Sequence, residues 1–573
     1  MKNFIKIFNR SQKISTIKLI ILMLLTTGLE ILSLNLIFII IKYFSNPSEL
    51  ASNKFFSFIK DFDISSDFIL ILFSIFFLLF LLKNFSIIIY NWYHGSIMAK
   101  LRAELSFTYF KGYINLPKLF HLRSNLSELV KNITIETDYF VGALSACQTL
   151  ILELIMLISI TIFLFFIDFK IALYCFLVLF IFSLIIYNLN SKILSRMGRE
   201  RAKFTQSRLK TIFEGLSGSQ IFKASGVKEN LFDKFNFYNN KLAKISRVAY
   251  FRTSLPKPLF ELLVLALITI SVFVFLQRGN EIVKTLPILG TFLAAGYRLI
   301  PSFGKIMTAI QTYKFAIANG SMLSKVKEKF DLNKNNVDKI KIRELKNKSL
   351  KIKNLTFSYE KNISVEKNII FKNLNVEIKF GQKIGILGES GSGKSTLLDL
   401  IMGLIPAEKG RISINGNTIE DIKTQWQTKI GCVPQNVFIS DQSLKNNIAF
   451  GEDEKDIDFN KIDKSIKISN LDEFKNDLKF GLNTILGENG ARISGGQRQR
   501  IGIARAMYNN PDILILDEAT NALDAKNEKK IIEEIFNNAV NKTIILVSHN
   551  KENFKFCDEV YEIENKNLRK LIS

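Results

Sequence analysis

Gly388-Glu-Ser-Gly-Ser-Gly-Lys-Ser-Thr396 follows a β-forming run, Lys383-Ile-Gly-Ile-Leu387, and opens a helical pattern, Thr396-Leu-Leu-Asp-Leu-Ile-Met402. Strand, glycine-rich loop and helix are the context that a phosphate-binding loop needs. Glycines at 388, 391 and 393 let backbone N–H groups turn inward around a polyphosphate, and the helix N-terminus adds partial positive charge. Lys394 is expected to reach the β- and γ-phosphates, and Ser395 to offer its hydroxyl to Mg²⁺. The expected cradle is Gly388, Glu389, Ser390, Gly391, Ser392, Gly393, Lys394, Ser395 and Thr396. A glycine-rich turn before an ordinary helix is the competing reading, and the Gly-x-x-x-x-Gly-Lys-Ser spacing weighs against it.

Working outward, the rest of the 573-residue chain is uneven. Hydrophobic residues make up 48% and include 50 Phe; they concentrate in the first half as runs near bilayer-spanning length, about 20 residues. Six spans are predicted, at Ile17–Ile41, Phe68–Tyr90, Ala143–Ile167, Ile171–Leu189, Leu259–Leu276 and Leu286–Ile306. Met1 to Lys13 is short, basic and mildly amphipathic, which suits an interfacial helix. A secretory signal peptide is the alternative, but the first apolar run is too long and no small-residue cleavage site follows. An even span count puts both ends on one side. The 191–257 segment opens with Lys192, Arg196, Arg199, Arg201, Lys203, Arg208 and Lys210 against Glu200, and the 94–141 segment is also basic. By the positive-inside tendency both loops, both termini and the C-terminal half face the cytoplasm, so the expected location is the inner, cytoplasmic membrane. The loops are too helical in pattern to be linkers. Their expected tips, Leu119–Glu128 and Glu214–Ala224, are candidates to meet the nucleotide domain.

The formal net charge of +25 admits a nucleic-acid partner or an anionic lipid surface. No basic helix interleaved with aromatics lies outside the membrane half, so the lipid bilayer is the expected partner and nucleic acid is not. Cys147, Cys175, Cys432 and Cys557 show neither metal-ligand spacing nor a disulfide framework. His94, His121 and His549 are too scattered for a metal site.

Ionisable residues inside spans are costly and need partners. Glu30 lies in span 1, Glu153 in span 3 and Arg298 in span 6. A structural Glu30–Arg298 pair is one reading. The other places Arg298, with Glu30, on a substrate path, where it meets an anionic head group.

Between Ser324 and Lys348 the chain turns polar, which marks a boundary. The expected domains are 1–320 (all-α, six transmembrane helices with long cytoplasmic loops), 321–348 (linker) and 349–573 (an α/β P-loop ATPase domain). Tyr359 precedes the phosphate loop and could stack on adenine; alone it would be an ordinary strand aromatic. Further on come Ile430-Gly-Cys-Val-Pro-Gln435 and Ile493-Ser-Gly-Gly-Gln-Arg-Gln-Arg500. Asp512-Ile-Leu-Ile-Leu-Asp517-Glu518, Ala522-Leu-Asp524 and Thr543-Ile-Ile-Leu-Val-Ser-His549 complete the order. Asp517 ends an apolar strand and suits Mg²⁺, and Glu518 beside it suits a general base. The stretch Ser494, Gly495, Gly496 and Gln497 opens a helix with unshielded N–H groups, a second anion site.

This set of motifs closely resembles the ATP-binding cassette, and the whole chain resembles an ABC exporter half-transporter. The resemblance implies ATP and Mg²⁺ as cofactors and Gln435 on Mg²⁺ or the attacking water. It implies His549 at the γ-phosphate, orienting Glu518. It also implies that Ser494–Gln497 cap the nucleotide held by a second cassette, so that a dimer is required. Ile493 replaces the usual Leu and Asn521 the common Ser, both mild departures. Lys394, Gln435, Ser494, Glu518 and His549 are intact, which favours a homodimer. The Tyr113–Ile133 and Gly296–Ser302 stretches look like those of bacterial lipid-linked oligosaccharide flippases. The expected activity is therefore ATP-driven export or flipping of an amphipathic substrate, foremost a lipid-linked sugar or glycolipid. Multidrug or general lipid export comes second, and peptide export is lower, with no peptidase domain before span 1. An ATP-gated channel or membrane-tethered regulatory ATPase is the reading from another class.

Overall fold

A computed structural model of the chain describes residues 10–45, 66–277, 282–317, 349–359, 369–520, 525–539 and 541–572, with Leu323, Val326, Glu328 and Phe330. Of the expected features, the start of the N-terminal segment, most of the linker, and Asn521 with Ala522-Leu-Asp524 lie outside the described residues. The chain divides into two compact units. One holds 1–116 and 124–332, the other 117–123 and 333–573.

The first unit is helical. Its long elements are α1 (Arg10–Ser45), α2 (Ser66–Ile114), α3 (Leu126–Lys131, continued by a π-helical turn at Asn132–Glu136), α4 (Thr137–Ile167) and α5 (Phe169–Ser217). They are followed by α6 (Ser219–Ser225), α7 (Lys228–Ser254), α8 (Pro256–Gln277) and α9 (Ile282–Ala316). Among the described residues, five helical stretches are long and apolar enough to cross a membrane. The sixth expected span, 286–306, lies within α9. At 1.5 Å per residue, the 49-residue α2 and α5 are each ~74 Å long, well beyond a hydrocarbon core of about 30 Å. The long basic loops of the sequence are thus helical extensions of the spans.

Helix α9 packs against α1, α4, α5 and α8, around a core of Leu34, Met156, Ile160, Phe260, Ala295 and Phe303. Phe77, Ile88, Phe166 and Leu262 are exposed, as befits helices that are apolar on most sides and meet lipid. The turn between α4 and α5 is fixed locally. Asp168 is extended, and its carboxylate accepts the Ile171 N–H at 3.0 Å as the N-cap of α5. The π-helical turn carries Glu136, which pairs with Arg201 of α5 at 3.1 Å, both buried.

The second unit contains two sheets. An antiparallel sheet, ordered β2-β1-β4-β5, joins β1 (Ser349–Ser358), β2 (Ile369–Lys379), β4 (Lys409–Ile414) and β5 (Asn417–Thr418). The second sheet is ordered β10-β9-β3-β8-β7-β6. It contains β3 (Lys383–Leu387), β6 (Ile430–Val433), β7 (Ile513–Asp517), β8 (Thr543–Val547), β9 (Glu559–Glu564) and β10 (Asn567–Ile572). Strands β9, β3, β8, β7 and β6 pair in parallel, and β10 closes the edge antiparallel. β7 and β8 are almost wholly buried apolar residues, the pattern of central parallel strands covered on both faces. The short helix Lys118–Arg123 belongs to this unit despite its position early in the chain.

Candidate functional site

Four neighbouring parallel strands deliver the motif residues at their C-terminal ends. β3 runs into the glycine loop, β8 leads to His549, β7 ends at Asp517 and Glu518, and β6 leads to Gln435. Ligands of open parallel sheets bind outside those ends. Neighbouring strands lie about 4.8 Å apart, so Gln435 and Glu518, 83 positions apart in sequence, become neighbours.

Gly391 and Gly393 both have positive φ, 82° and 108°. A Cβ at Gly393 would come within 2.7 Å of Ile370, so glycine is required there by conformation and by space. Lys394 begins α10 (Lys394–Ile401), and its ammonium donates to the carbonyls of Gly388 and Glu389 at 2.8 and 3.0 Å. The lysine thus lies back across the loop that it follows. The buried Ser392 hydroxyl has no hydrogen-bond partner among the described residues, an orphaned polar atom inside a cradle of the right shape for an anion. Tyr359 does not stand apart: its hydroxyl lies 3.1 Å from Thr396 Oγ1, and its ring meets Phe357 edge-on.

Glu518 is held from every side. Its carboxylate accepts from Gln435 Nε2 at 2.7 Å, and His549 Nε2 lies 2.9 Å from its other oxygen. Its N–H donates to Val547 O at 3.1 Å, and its carbonyl accepts from Gln499 Nε2 at 3.5 Å. Its φ is +51°, a left-handed conformation unfavourable for a residue with a Cβ and typical of functional sites. Next to it, Asp517 accepts from the Ser395 hydroxyl, and burial raises its carboxyl pKa above the usual range. A divalent cation beside this pair would oppose that rise. Ser395, Gln435 and Asp517 are oxygen donors, the set that Mg²⁺ takes together with phosphate and water. The residues present therefore fit the ion.

Ser494 and Gln497 satisfy each other. Ser494 Oγ accepts the Gln497 N–H at 3.2 Å and Gln497 Oε1 accepts the Ser494 N–H at 2.8 Å, a capping box at the start of α11 (Gly495–Tyr508). Their side chains fix the helix start, where an anion would be met by the N–H groups of Gly495 and Gly496.

Three features went unread in the sequence. Lys118 Nζ lies 2.8 Å from Asp399 of α10, and its N–H donates to Leu404 O. Leu119 packs on the domain core and Arg123 donates to the Tyr359 carbonyl. The expected tip Leu119–Glu128 thus has its first residues within the nucleotide-binding unit, whereas Glu214–Ala224 belongs to the first unit. Beneath Lys118 a cavity of ≈ 450 Å³ is lined by Ser395, Asp399, Gln427, Cys432 and Asp517 among others. The third feature lies in the helical unit. Beside the Glu30–Arg298 pair at 3.1 Å, which is one of the two sequence readings, Glu30 pairs with Lys83 at 3.3 Å between α1, α2 and α9, and this second cation is the unread feature. Lys83 sits inside the second expected span. Its charge within an apolar run was the signal that could have found it.

Residues 371–521 match the family model of the ABC transporter. The chain has the build of an ABC exporter half-transporter. It is 26% identical over 484 residues to an ATP-dependent lipid A-core flippase of Wigglesworthia glossinidia brevipalpis, covering 83% of this chain and 80% of that one. It is 28% identical over 491 residues to the flippase of the same name from Pseudoalteromonas translucida (strain TAC 125), covering 82% and 80%. A leukotoxin translocation ATP-binding protein from a Pasteurella haemolytica-like species is 39% identical over 213 residues, 37% of this chain and 29% of that one. In fold, the half-transporter is similar to a bacterial Atm1-family ABC exporter solved with ATP bound. The TM-score is 0.78 at 20% identity, over 98% of this chain and 95% of that one. The half-transporter is a multi-pass membrane protein whose cassette binds ATP and hydrolyses it in support of transport.

Proposed function

We propose that this half-transporter works as a homodimer in the cytoplasmic membrane and flips or exports an anionic amphipathic lipid, foremost a lipid-linked sugar or glycolipid. The observation that carries the substrate class is the Glu30–Lys83–Arg298 cluster. Buried Lys83 and half-buried Arg298 share the one buried carboxylate of Glu30 within the helical unit. The excess positive charge is costly there, and an anionic head group would neutralise it. Support comes from the relatives named lipid A-core flippases, whose similarity runs through the helical unit as well as the cassette.

In this reading ATP lies on Gly388–Thr396 with Tyr359 at the adenine. Ser395, Asp517 and Gln435 would hold Mg²⁺, which when bound would neutralise charge developing on the phosphates. Glu518 takes a proton from the attacking water, and His549 holds that carboxylate and faces the γ-phosphate. Gly495 and Gly496 of one copy, fixed by Ser494 and Gln497, cap the nucleotide of the other. Closure and reopening of the pair then bias the spans between two states.

The test is a proteoliposome assay with a labelled polyprenyl-linked sugar. Wild type should flip it in an ATP-dependent way, and Glu518→Gln should bind ATP yet neither hydrolyse it nor flip. If wild type hydrolyses ATP and moves no such lipid, the glycolipid reading fails and general lipid or drug export takes its place.

A further inference from the structure

The ladder between β7 and β8 ends at Asp517 opposite Val547, and the Glu518 N–H makes the last backbone bond across it, to Val547 O. Beyond that point the two segments carrying Glu518 and His549 have left the sheet. Their next tie is a side chain. Glu528 lies in the first turn of α12 (Ala525–Asn538), outside every motif read in the sequence. Its Oε1 accepts from Thr520 Oγ1 and from Asn553 Nδ2, each at 2.8 Å. Its Oε2 accepts from Asn550 Nδ2 at 3.2 Å. Asn553 Nδ2 also donates to Ser548 Oγ at 3.0 Å, and the Asn550 N–H donates to the same oxygen at 3.0 Å. Thr520 stands two residues after Glu518, while Ser548 and Asn550 flank His549. Thr520, Ser548 and Asn553 are all buried.

We propose that Glu528 is a positioning residue for ATP hydrolysis. One carboxylate joins the segment after β7 to the segment after β8 and so holds the His549 imidazole against Glu518. A carboxylate suits the task because all three groups that it meets are donors, and an ionised carboxylate is a pure acceptor with room for several bonds. The same bonds fix the start of α12 relative to both strand ends, so the catalytic pair and that helix are set as one piece. Glu528 touches neither nucleotide nor water in this scheme; it acts through His549.

The inference rests on the roles proposed for Glu518 and His549, so Glu518→Gln is the control: if that variant still turns over ATP, those roles fail whatever Glu528 does. The experiment measures ATP hydrolysis by the full chain in detergent for Glu528→Ala, Glu528→Gln, His549→Ala and the Glu528→Ala/His549→Ala double variant. Misplacement of a catalytic group by about 1 Å can cost about 100-fold, so Glu528→Ala should lower kcat roughly 10- to 100-fold with KM for ATP changed by less than about two-fold. Glu528→Gln keeps the shape and part of the acceptor capacity and should lose less. In the His549→Ala background, Glu528→Ala should add less than about three-fold, because residues acting as a unit are not additive. The inference is overturned if Glu528→Ala keeps wild-type kcat, or if its loss multiplies fully with that of His549→Ala. If Glu528→Ala does not fold, the same comparison is made with Glu528→Gln, and a wild-type kcat there overturns it too.

Discussion

His549 Nε2 lies 2.9 Å from Glu518 Oε1, although the two residues are 31 positions apart and follow different strands. Gln435, from a third strand, reaches the other carboxylate oxygen at 2.7 Å. These two bonds orient the carboxylate that is proposed as the general base. General base catalysis is worth about 10²–10⁴-fold. Glu518→Gln should therefore lose at least about 100-fold in kcat while ATP affinity, measured by equilibrium binding of a fluorescent analogue, stays near wild type. His549→Ala should fall between the two. Undiminished turnover by Glu518→Gln would remove Glu518 from the chemistry.

The Lys118–Asp399 pair is asymmetric, with Asp399 buried and Lys118 partly exposed. Solvent screening limits such a pair to about 1 kcal/mol or less. A double-mutant cycle of Lys118→Met and Asp399→Asn on thermal unfolding should return a coupling of that order. Its functional weight should show elsewhere, in fewer lipids moved per ATP hydrolysed. Equal coupling ratios in wild type and Lys118→Met would mean that the pair only anchors the segment.

Around Glu30 the charges do not balance, so its three members should respond differently. Glu30→Gln leaves two cations facing each other in the interior, and breaking a buried pair costs about 3–5 kcal/mol; the variant should aggregate on extraction. Lys83→Met leaves one cation against one carboxylate and should stay folded, with weaker stimulation of ATPase by an anionic lipid. Size-exclusion profiles and lipid-stimulated turnover distinguish the two. If Arg298→Ala left transport intact while Glu30→Ala alone misfolded, the cluster would be structural and the substrate role would be wrong.

Burial pushes the thiols of Cys432 and Cys557 up to about 12. For these acids the neutral form is the folded one. Their stabilising contribution is present below the unfolded value near 9, and it is lost as pH rises from there through 12. At pH 8 the thiolate, the reactive form, is about a thousandfold scarcer than at an exposed cysteine. Maleimide labelling followed by mass spectrometry should modify both half-buried residues far more slowly in the native chain than after denaturation. Rapid native labelling of either would contradict the burial.

The glycine loop, the carboxylates after β7 and the histidine after β8 were legible because each is a local pattern of strand followed by functional residue, and strand formation depends on neighbours in sequence. The helical spans were legible for the same reason, since apolar length alone decides whether a segment crosses a bilayer. Tertiary structure decided what no local pattern carries. It set the order β3-β8-β7-β6, which brings Gln435, Glu518 and His549 together. It placed Lys118 on Asp399 and Tyr359 on Thr396. It gave Glu30 a second cation and made Glu528 the tie between two strand ends. Those contacts depend on which surfaces pack and which buried polar atoms need partners. That is a demand of the folded interior, where an unpaired charge or donor is expensive, and it has no counterpart in the extended chain.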